Sequence, residues 1–251
     1  MYPSFLRRLS LACCCALLIA PLAARELVAI GSNFPGVFEQ HNSDYRGLAT
    51  SVLRQALEPL GYQIRFELHP WARAQHMVAQ GQGDILIGPY KNAEREALFA
   101  FSARPFYRDH IVFYRQRGRL LYWHGDYQQL FGRRIGVVRA WVYGARFDSR
   151  REQLELVTVE GVENGLKMLS AGRLDLLASN QRNTRPVLVQ LGLHDELEQL
   201  EPPIDLQDGY FAFPREERYR PLREEFDRAL QQMIEQGRLA QLAKQWQVEI
   251  P

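Results

Sequence analysis

The chain has 251 residues, of which 46% are apolar and 24% are charged, and its formal net charge is +2. These values are ordinary for a globular protein with room for one large domain or two modest ones. Residues 1–24 contain Arg7 and Arg8 but no acid, so the rest of the chain carries 29 basic and 29 acidic residues. This balance gives no electrostatic support for a nucleic-acid or membrane-surface partner.

The first 24 residues have the pattern of a secretory signal peptide. Arg7 and Arg8 precede an apolar run over residues 9–20, and Pro21-Leu-Ala-Ala24 supplies small residues for cleavage. The run is too short to span a bilayer comfortably, so we expect export to the periplasm. All three cysteines (13 to 15) lie here, so the mature chain would have no disulfide. The alternatives are a buried N-terminal helix or a lipoprotein with Leu11-Ala-Cys13 as its acceptor site.

Downstream, short apolar runs alternate with amphipathic stretches. Strands are predicted, in chain order, at 26–31, 62–68, 84–87, 111–114, 134–138, 154–159, 175–178 and 210–213. Helices are predicted at 46–60, 71–80, 162–171 and 183–191, and from 221 to 246 with a break at Gly237. This alternation is typical of α/β proteins and predicts a mostly parallel sheet with helices on both faces.

One ten-residue pattern occurs twice. Met77-Val-Ala-Gln-Gly-Gln-Gly-Asp-Ile-Leu86 is echoed by Met168-Leu-Ser-Ala-Gly-Arg-Leu-Asp-Leu-Leu177, 91 positions later. Each copy indicates the end of a helix, a glycine in the left-handed conformation and a buried strand. Two such units predict two similar α/β lobes, and small molecules bind in the cleft that two lobes leave between them.

The segment from Lys91-Asn-Ala-Glu-Arg95 to Phe101-Ser-Ala-Arg-Pro-Phe-Tyr107 resembles a motif of the bacterial extracellular solute-binding proteins of family 3, which are the polar-amino-acid receptors of ABC importers. Tyr45-Arg-Gly-Leu48 is similar to the start of that family's first long helix. Gly237-Arg-Leu-Ala-Gln-Leu-Ala-Lys-Gln-Trp246 is similar to its closing helix. With the two Gly-x-x-Asp elements, the likeness extends over residues 26–247.

The resemblance implies a periplasmic-binding-protein-like α/β fold with two lobes, a central ligand cleft and a two-strand hinge. Lobe 1 would consist of residues 25–110 and 207–251, and lobe 2 of residues 111–206. The chain would cross between the lobes near residues 107–112 and 207–211. A ligand that binds the closed form better would be captured by closure of the hinge.

Nine residues are candidates for the ligand site. By the resemblance, Arg95 occupies the position that grips a ligand carboxylate, and a planar guanidinium suits such a grip. Trp71 falls where the family keeps an aromatic lid, and Arg73 would add a second positive charge. The remaining candidates are Phe34, Gly88, Tyr90, Arg139, Trp141 and Asn180.

Several of these positions depart from the family's pattern. Gly88 and Tyr90 stand where the family tends to have hydroxyl side chains that support the carboxylate, and Trp141 and Val142 stand where it has a Ser/Thr pair. Asn180 stands where many members have an aspartate that pairs with the ligand's α-ammonium, and asparagine supplies no countercharge. These departures favour a carboxylate without a cationic head and with a flat or apolar body.

The resulting prediction is a periplasmic solute-binding protein, not an enzyme. It would capture a small polar ligand with a carboxylate, such as an amino acid, and deliver it to an ABC permease, and we expect a monomer. One alternative is an enzyme similar to cyclohexadienyl dehydratase, with Glu39 or Asp44 as the general acid. The other is a receptor that feeds a sensor kinase or chemoreceptor. The six histidines show no metal-ligand spacing, and no cofactor motif is present.

Overall fold

The computed structural model describes residues 25–251. The predicted signal peptide, its three cysteines and the alternative lipoprotein site lie outside the described residues. Among those described, no helix combines the length and the apolar character needed to cross a membrane.

The described chain forms a mixed α/β structure. Its strands are β1 (Arg25–Gly31), β2 (Glu39–His41), β3 (Asp44–Arg46), β4 (Tyr62–Leu68), β5 (Ile85–Tyr90), β6 (Phe99–Phe101), β7 (Tyr107–Gln116), β8 (Arg134–Val138), β9 (Glu155–Val159), β10 (Leu176–Asn180), β11 (Leu197–Gln199) and β12 (Asp205–Pro214). Its helices are α1 (Leu48–Leu57), α2 (Trp71–Ala79), α3 (Ala93–Leu98), α4 (Ala145–Asp148), α5 (Val162–Ser170), α6 (Gln181–Gln190), α7 (Arg220–Glu235) and α8 (Arg238–Trp246).

Ten strands form one sheet in the order β4-β1-β5-β12-β7-β10-β8-β9, with β6 beside β12 and β11 beside β7. The strands β4-β1-β5, which we call the first half-sheet, are parallel, and so are β10-β8-β9, the second half-sheet. Every pairing that involves β7 or β12 is antiparallel. The prediction of a mostly parallel sheet is therefore wrong for the centre, because the two strands that link the halves run in opposite directions side by side.

The two central strands are longer than their apolar runs predict. β7 begins four residues before the predicted 111–114 strand, and β12 begins five residues before the predicted 210–213 strand. Polar residues in these extensions hide the strand pattern, but they pair with each other across the two strands: Arg108 Nε lies 2.7 Å from Asp208 Oδ1. β7 and β12 pair with each other over part of their length. Elsewhere β7 pairs with β10 of the second half-sheet, and β12 pairs with β5 of the first half-sheet. The two central strands therefore connect the two halves of the molecule.

The repeated ten-residue pattern forms the same structure twice. Gly81 and Gly172 both have φ near +68° just after α2 and α5, so each ends its helix in the left-handed conformation. The carboxylate of Asp84 accepts a hydrogen bond from the N–H of Val28 in β1 (2.7 Å), and that of Asp175 accepts one from the N–H of Arg134 in β8 (2.9 Å). Each aspartate thus fixes the start of its strand to a neighbouring parallel strand, which explains why both copies keep it.

Replacing Asp84 with alanine should therefore destabilise the fold. The N–H of Val28 would lose its acceptor, and an unsatisfied partly buried donor costs about 1–3 kcal/mol of unfolding free energy. Urea unfolding followed by circular dichroism measures this change. Glu155→Ala, at an exposed position on the edge strand β9, is the matched control and should stay within about 0.5 kcal/mol of the parent chain. Equal stability of the two variants would contradict the role given to Asp84.

The end of the chain returns to the first half of the molecule. The apolar stripe of α7 (Leu222, Phe226, Leu230 and Met233) is buried, and α7 and α8 both pack on α1. The indole N–H of Trp246 donates to Ser51 Oγ at 3.1 Å. Helices from the end of the described chain thus pack on the helix that precedes β4, in the first half of the molecule.

Candidate functional site

A small cavity lies where the carboxyl ends of the two half-sheets face each other. Its volume is about 20 Å³, room for about one water molecule. In open α/β sheets, ligands bind at the carboxyl ends of parallel strands, near points where the strand order changes. The lining residues are Phe34, Trp71, Gly88, Tyr90, Arg95, Tyr107, Trp141, Val142 and Asn180.

Seven of the nine sequence-predicted residues line this cavity, and two do not. Arg73 is exposed on α2, and Arg139 forms an ion pair with Glu160, with its Nε 3.0 Å from Oε2. Two residues along a helix point in nearly opposite directions, so Arg73 cannot share the cavity-facing side of Trp71. Arg139 directly follows β8, and its backbone N–H donates to the carbonyl of Val159 at the end of β9. Its side chain therefore lies close to Glu160, the next residue after β9.

Arg95 is the charged group of the cavity. It lies in the short helix α3, whose N-cap residue Asn92 accepts a hydrogen bond from the Arg95 backbone N–H (2.8 Å). Its Nη1 donates to the carbonyl of Tyr90 (3.0 Å) and its Nη2 to the carbonyl of Ala140 (2.9 Å). Ala140 follows β8, so the guanidinium connects the first half-sheet's side of the cavity with the second.

Burial weakens the hydration of the Arg95 cation. The residue is only 5% exposed, and this desolvation lowers its pKa to about 10. At neutral pH the group is still positively charged. The two carbonyls that accept its hydrogen bonds are neutral, and its central carbon lies 5.5 Å from the centre of a Trp71 ring. A desolvated cation that has no carboxylate partner among residues 25–251 favours an anion as its next contact.

Aromatic side chains form most of the remaining wall. Phe34 and Trp71 pack edge to face with ring centroids 5.4 Å apart, and Tyr90 and Tyr107 lie 6.2 Å apart. Trp141 faces the cavity from the loop after β8. Such a wall suits a flat or apolar ligand body.

A buried polar network closes the floor of the site. The hydroxyl of Tyr90 donates to Asp109 Oδ2 (2.6 Å) and accepts from Asn180 Nδ2 (3.1 Å). Arg182 holds the same carboxylate with two hydrogen bonds, of 2.8 and 2.6 Å, and donates to the carbonyl of Pro35 (2.6 Å). The network joins β5, β7, β10 and α6 with the loop after β1.

The electrostatics of this network are dominated by one ion pair. Burial works against the Arg182 cation, but the Asp109 carboxylate outweighs it and raises the pKa of Arg182. Burial, reinforced by the Asp109 charge, raises the pKa of Tyr90, so its hydroxyl stays protonated and acts as a donor. Asp109 and Arg182 were missed in the sequence because they are 73 positions apart and no local spacing connects them.

Two wider recesses adjoin the cavity. The one that we call the outer recess has a volume of about 330 Å³ and shares Phe34, Trp71 and Trp141 with the cavity. A second recess of about 610 Å³ lies on the Arg95 side and contains Glu94, Asp148 and Arg151. The cavity therefore opens toward space of ligand size on both sides.

A larger groove of about 500 Å³ lies away from this cavity, between β6 and the start of α7. Several of its charged groups already have partners within the described chain: Arg215 donates to the carbonyl of Glu96, and Arg220 pairs with Glu217. We therefore take the cavity at the ends of the half-sheets as the candidate site.

Several solved structures have a similar fold. A histidine kinase sensor domain with similarity to periplasmic binding proteins has a TM-score of 0.80 at 19% identity, covering 91% of this chain and 99% of that one. A mutant of ArgBP from T. maritima has a TM-score of 0.74 at 17% identity, covering 88% of this chain and 94% of that one. A putative L-cystine ABC transporter from Listeria monocytogenes has a TM-score of 0.72 at 19% identity, covering 88% of this chain and 95% of that one. These likenesses show the fold, which is that of the periplasmic binding proteins.

The family model of the bacterial extracellular solute-binding proteins, family 3, matches residues 27–249, and the chain belongs to this family. The resemblance found in the sequence and the predicted fold class are thereby confirmed. A search of the curated proteins gave no match.

Proposed function

We propose that this chain is a periplasmic receptor that captures a small carboxylate-bearing ligand and delivers it to an ABC importer. The observation that carries the proposal is the desolvated guanidinium of Arg95 in a cavity between two half-sheets, held by neutral carbonyls. A carboxylate can replace such carbonyls with two charge-assisted hydrogen bonds. The chain's family and the transporter-associated proteins similar to it support the same function.

The proposed capture uses two lobes, made of residues 25–110 with 207–251 and of residues 111–206. The long strands β7 and β12 are the crossings between them, and their pairing near Tyr107 and Gly209 is the proposed hinge. Since Arg95 contacts Ala140 across the gap, separation of the lobes would free the guanidinium for a ligand. The ligand then stabilises the closed form, because it contacts both lobes only there.

A thermal-shift screen tests this function directly. The mature chain, residues 25–251, is heated with amino acids, amines and small carboxylates, each at millimolar concentration. A carboxylate that binds only the native state raises the melting temperature by mass action, and about 100 times its Kd adds about 2.7 kcal/mol of stability. Small-angle X-ray scattering should then show a smaller radius of gyration with the hit. A screen in which no carboxylate raises the melting temperature would contradict the proposal.

A second candidate is a ligand-sensing receptor that docks on a membrane sensor. A structure similar to this chain is the sensor domain of a histidine kinase, which favours this candidate as far as the fold goes. The binding step is the same in both cases. Pull-down from membranes with the thermal-shift hit present distinguishes an importer from a sensor by the protein recovered.

The enzymatic alternative has less support. Its candidate acids, Glu39 and Asp44, belong to the β2–β3 hairpin and are not among the described residues that line the cavity. Glu39 accepts a hydrogen bond from the Gly36 N–H and pairs with Arg46, and Asp44 pairs with Arg54 near the surface. A dehydratase needs its acid within hydrogen-bond reach of the leaving hydroxyl. We therefore propose a binding protein without catalytic activity.

A further inference from the structure

The charges around the cavity favour one type of ligand head group. Arg95 is the cation, and none of the described residues that line the cavity carries a carboxylate. Asp109, close behind Tyr90, is 2% exposed and is already held by Nε and Nη2 of Arg182 and by the Tyr90 hydroxyl. Asp109 and Arg182 together are neutral, so the site keeps a net charge of about +1 from Arg95.

The amide of Asn180 is also committed to the protein. Its Oδ1 accepts the backbone N–H of Asn183 at 2.8 Å and so caps α6, while its Nδ2 donates to the hydroxyl of Tyr90 at 3.1 Å. The amide edge nearest Tyr90 is thus a donor, which an ammonium cannot use. A ligand ammonium would lose its hydration here without gaining a countercharge.

The available space indicates where the ligand body lies. The cavity of about 20 Å³ has room for about one water molecule beside Arg95 and for no ring, whereas the outer recess of about 330 Å³ adjoins it past Trp71 and Trp141. The valines Val138, Val162 and Val187 line that recess. Its acids have partners of their own: Glu160 pairs with Arg139, and Glu163 pairs with Lys167. The recess is therefore a nearly neutral apolar space of the size of small-molecule sites.

We propose that the site selects a monocarboxylate that has no amino group and has a ring-sized apolar body. Its carboxylate contacts Arg95, and its body lies between Trp71 and Trp141 in the outer recess. This inference rests on the proposed function, because it specifies the ligand of the same site.

Titration calorimetry on the mature chain with three matched compounds tests the head group. The compounds are 3-phenylpropionate, L-phenylalanine and 2-phenylethylamine, which share the ring and differ in the charged groups. We expect the acid to bind at least about tenfold more tightly than the amino acid, because the ammonium is desolvated without a partner, and we expect no heat from the amine. Equal or tighter binding of phenylalanine would overturn this inference while leaving the proposed function in place. No binding of any carboxylate, in this set or in the thermal-shift screen, would overturn both.

Asn180→Asp provides a gain-of-function version of the same test. Aspartate is as good an N-cap residue as asparagine, so α6 is preserved. The added carboxylate should narrow or reverse the preference, with phenylalanine gaining and 3-phenylpropionate losing at least about fivefold in affinity. An unchanged ratio of the two affinities in this variant would count against an ammonium-excluding role of Asn180.

Gly161→Phe tests the position of the body. Gly161 lines the outer recess, its backbone is extended (φ −172°, ψ 173°), and a Cβ there meets no atom within 4 Å, so the new ring fills the recess without backbone strain. We expect at least a tenfold loss of affinity for 3-phenylpropionate. The control Gln190→Phe adds the same ring at an exposed position of α6 and should bind like the parent chain. Parent-like binding by Gly161→Phe would exclude the outer recess as the place of the ligand body.

Discussion

Replacing Arg95 with glutamine should reduce carboxylate affinity by about 100- to 1,000-fold. Two charge-assisted hydrogen bonds and the ion pair would be lost, and each such bond contributes about 1.5–3 kcal/mol. Arg95→Lys keeps the charge but not the planar fork, so it should recover only part of the affinity. The measurement is titration calorimetry with the best carboxylate from the thermal-shift screen.

The same substitution should leave the stability of the chain almost unchanged. Arg95 donates hydrogen bonds to the carbonyls of Tyr90 and Ala140, but its charged guanidinium is desolvated, and this burial lowers the pKa of Arg95 to about 10. Removing that charge relieves a desolvation cost that offsets the lost hydrogen bonds. A large loss of affinity at an unchanged melting temperature therefore separates binding from folding. If Arg95→Gln kept full affinity for the carboxylate while Arg73→Gln lost it, the residue that binds the carboxylate would be Arg73 and not Arg95.

Arg182→Met should destabilise the chain by about 3–5 kcal/mol. Asp109 would keep only the Tyr90 hydroxyl as a partner and would become an uncompensated buried charge. The carbonyl of Pro35 would also lose its donor. Chemical unfolding of residues 25–251, fitted with one m-value for all variants, measures the difference.

We expect the loss of stability in Arg182→Met to come from the broken Asp109–Arg182 ion pair and not from a change in helix α6 itself. Arg185→Met, at an exposed position of the same helix, is the matched control and should change stability by less than about 0.5 kcal/mol. The double variant Asp109→Leu with Arg182→Met should be more stable than Arg182→Met alone, because no buried charge is left without a partner. Additive losses in the double variant would show that the two residues stabilise the fold independently.

The sequence predicts the parts of this fold that depend on local patterns. Strands β4 and β8 begin and end at the predicted residues, and the two glycines of the repeat end α2 and α5 in the same conformation. Glycine caps and apolar runs are local signals, so a single sequence contains them. The strands β2, β3, β6 and β11 were missed because three-residue strands have no measurable periodicity.

The central strands show the limit of local patterns. Arg108 and Asp208 lie in β7 and β12 but are polar, and only the partner strand, 100 residues away, explains them. The antiparallel pairing at the centre of the sheet is a property of two distant segments and leaves no mark in either one. For that reason local patterns predicted the parallel halves, whereas the two crossings near residues 107–112 and 207–211 were predicted only through the family resemblance.

The candidate site divides in the same way. Arg95 and Trp71 were both found through the family resemblance, since each position belongs to a continuous segment that resembles the family. The Asp109–Arg182 pair depends on β7 and α6 coming together, so no spacing predicts it. Arg73 was chosen for its charge near Trp71, but helix geometry turns it to solvent. Two residues that are two positions apart on a helix point to different sides of it, so their closeness in sequence does not predict that they line the same cavity.

Two of the four tryptophans of this chain, Trp71 and Trp141, line the cavity and come from opposite sides of it. Of the others, Trp123 is buried beside Phe113, and Trp246 lies at the end of α8. Tryptophan fluorescence can therefore be used to follow this cavity. A ligand that enters the proposed site would change the polarity around two indoles at once, so the intrinsic fluorescence should follow occupancy in real time, without a dye or a label.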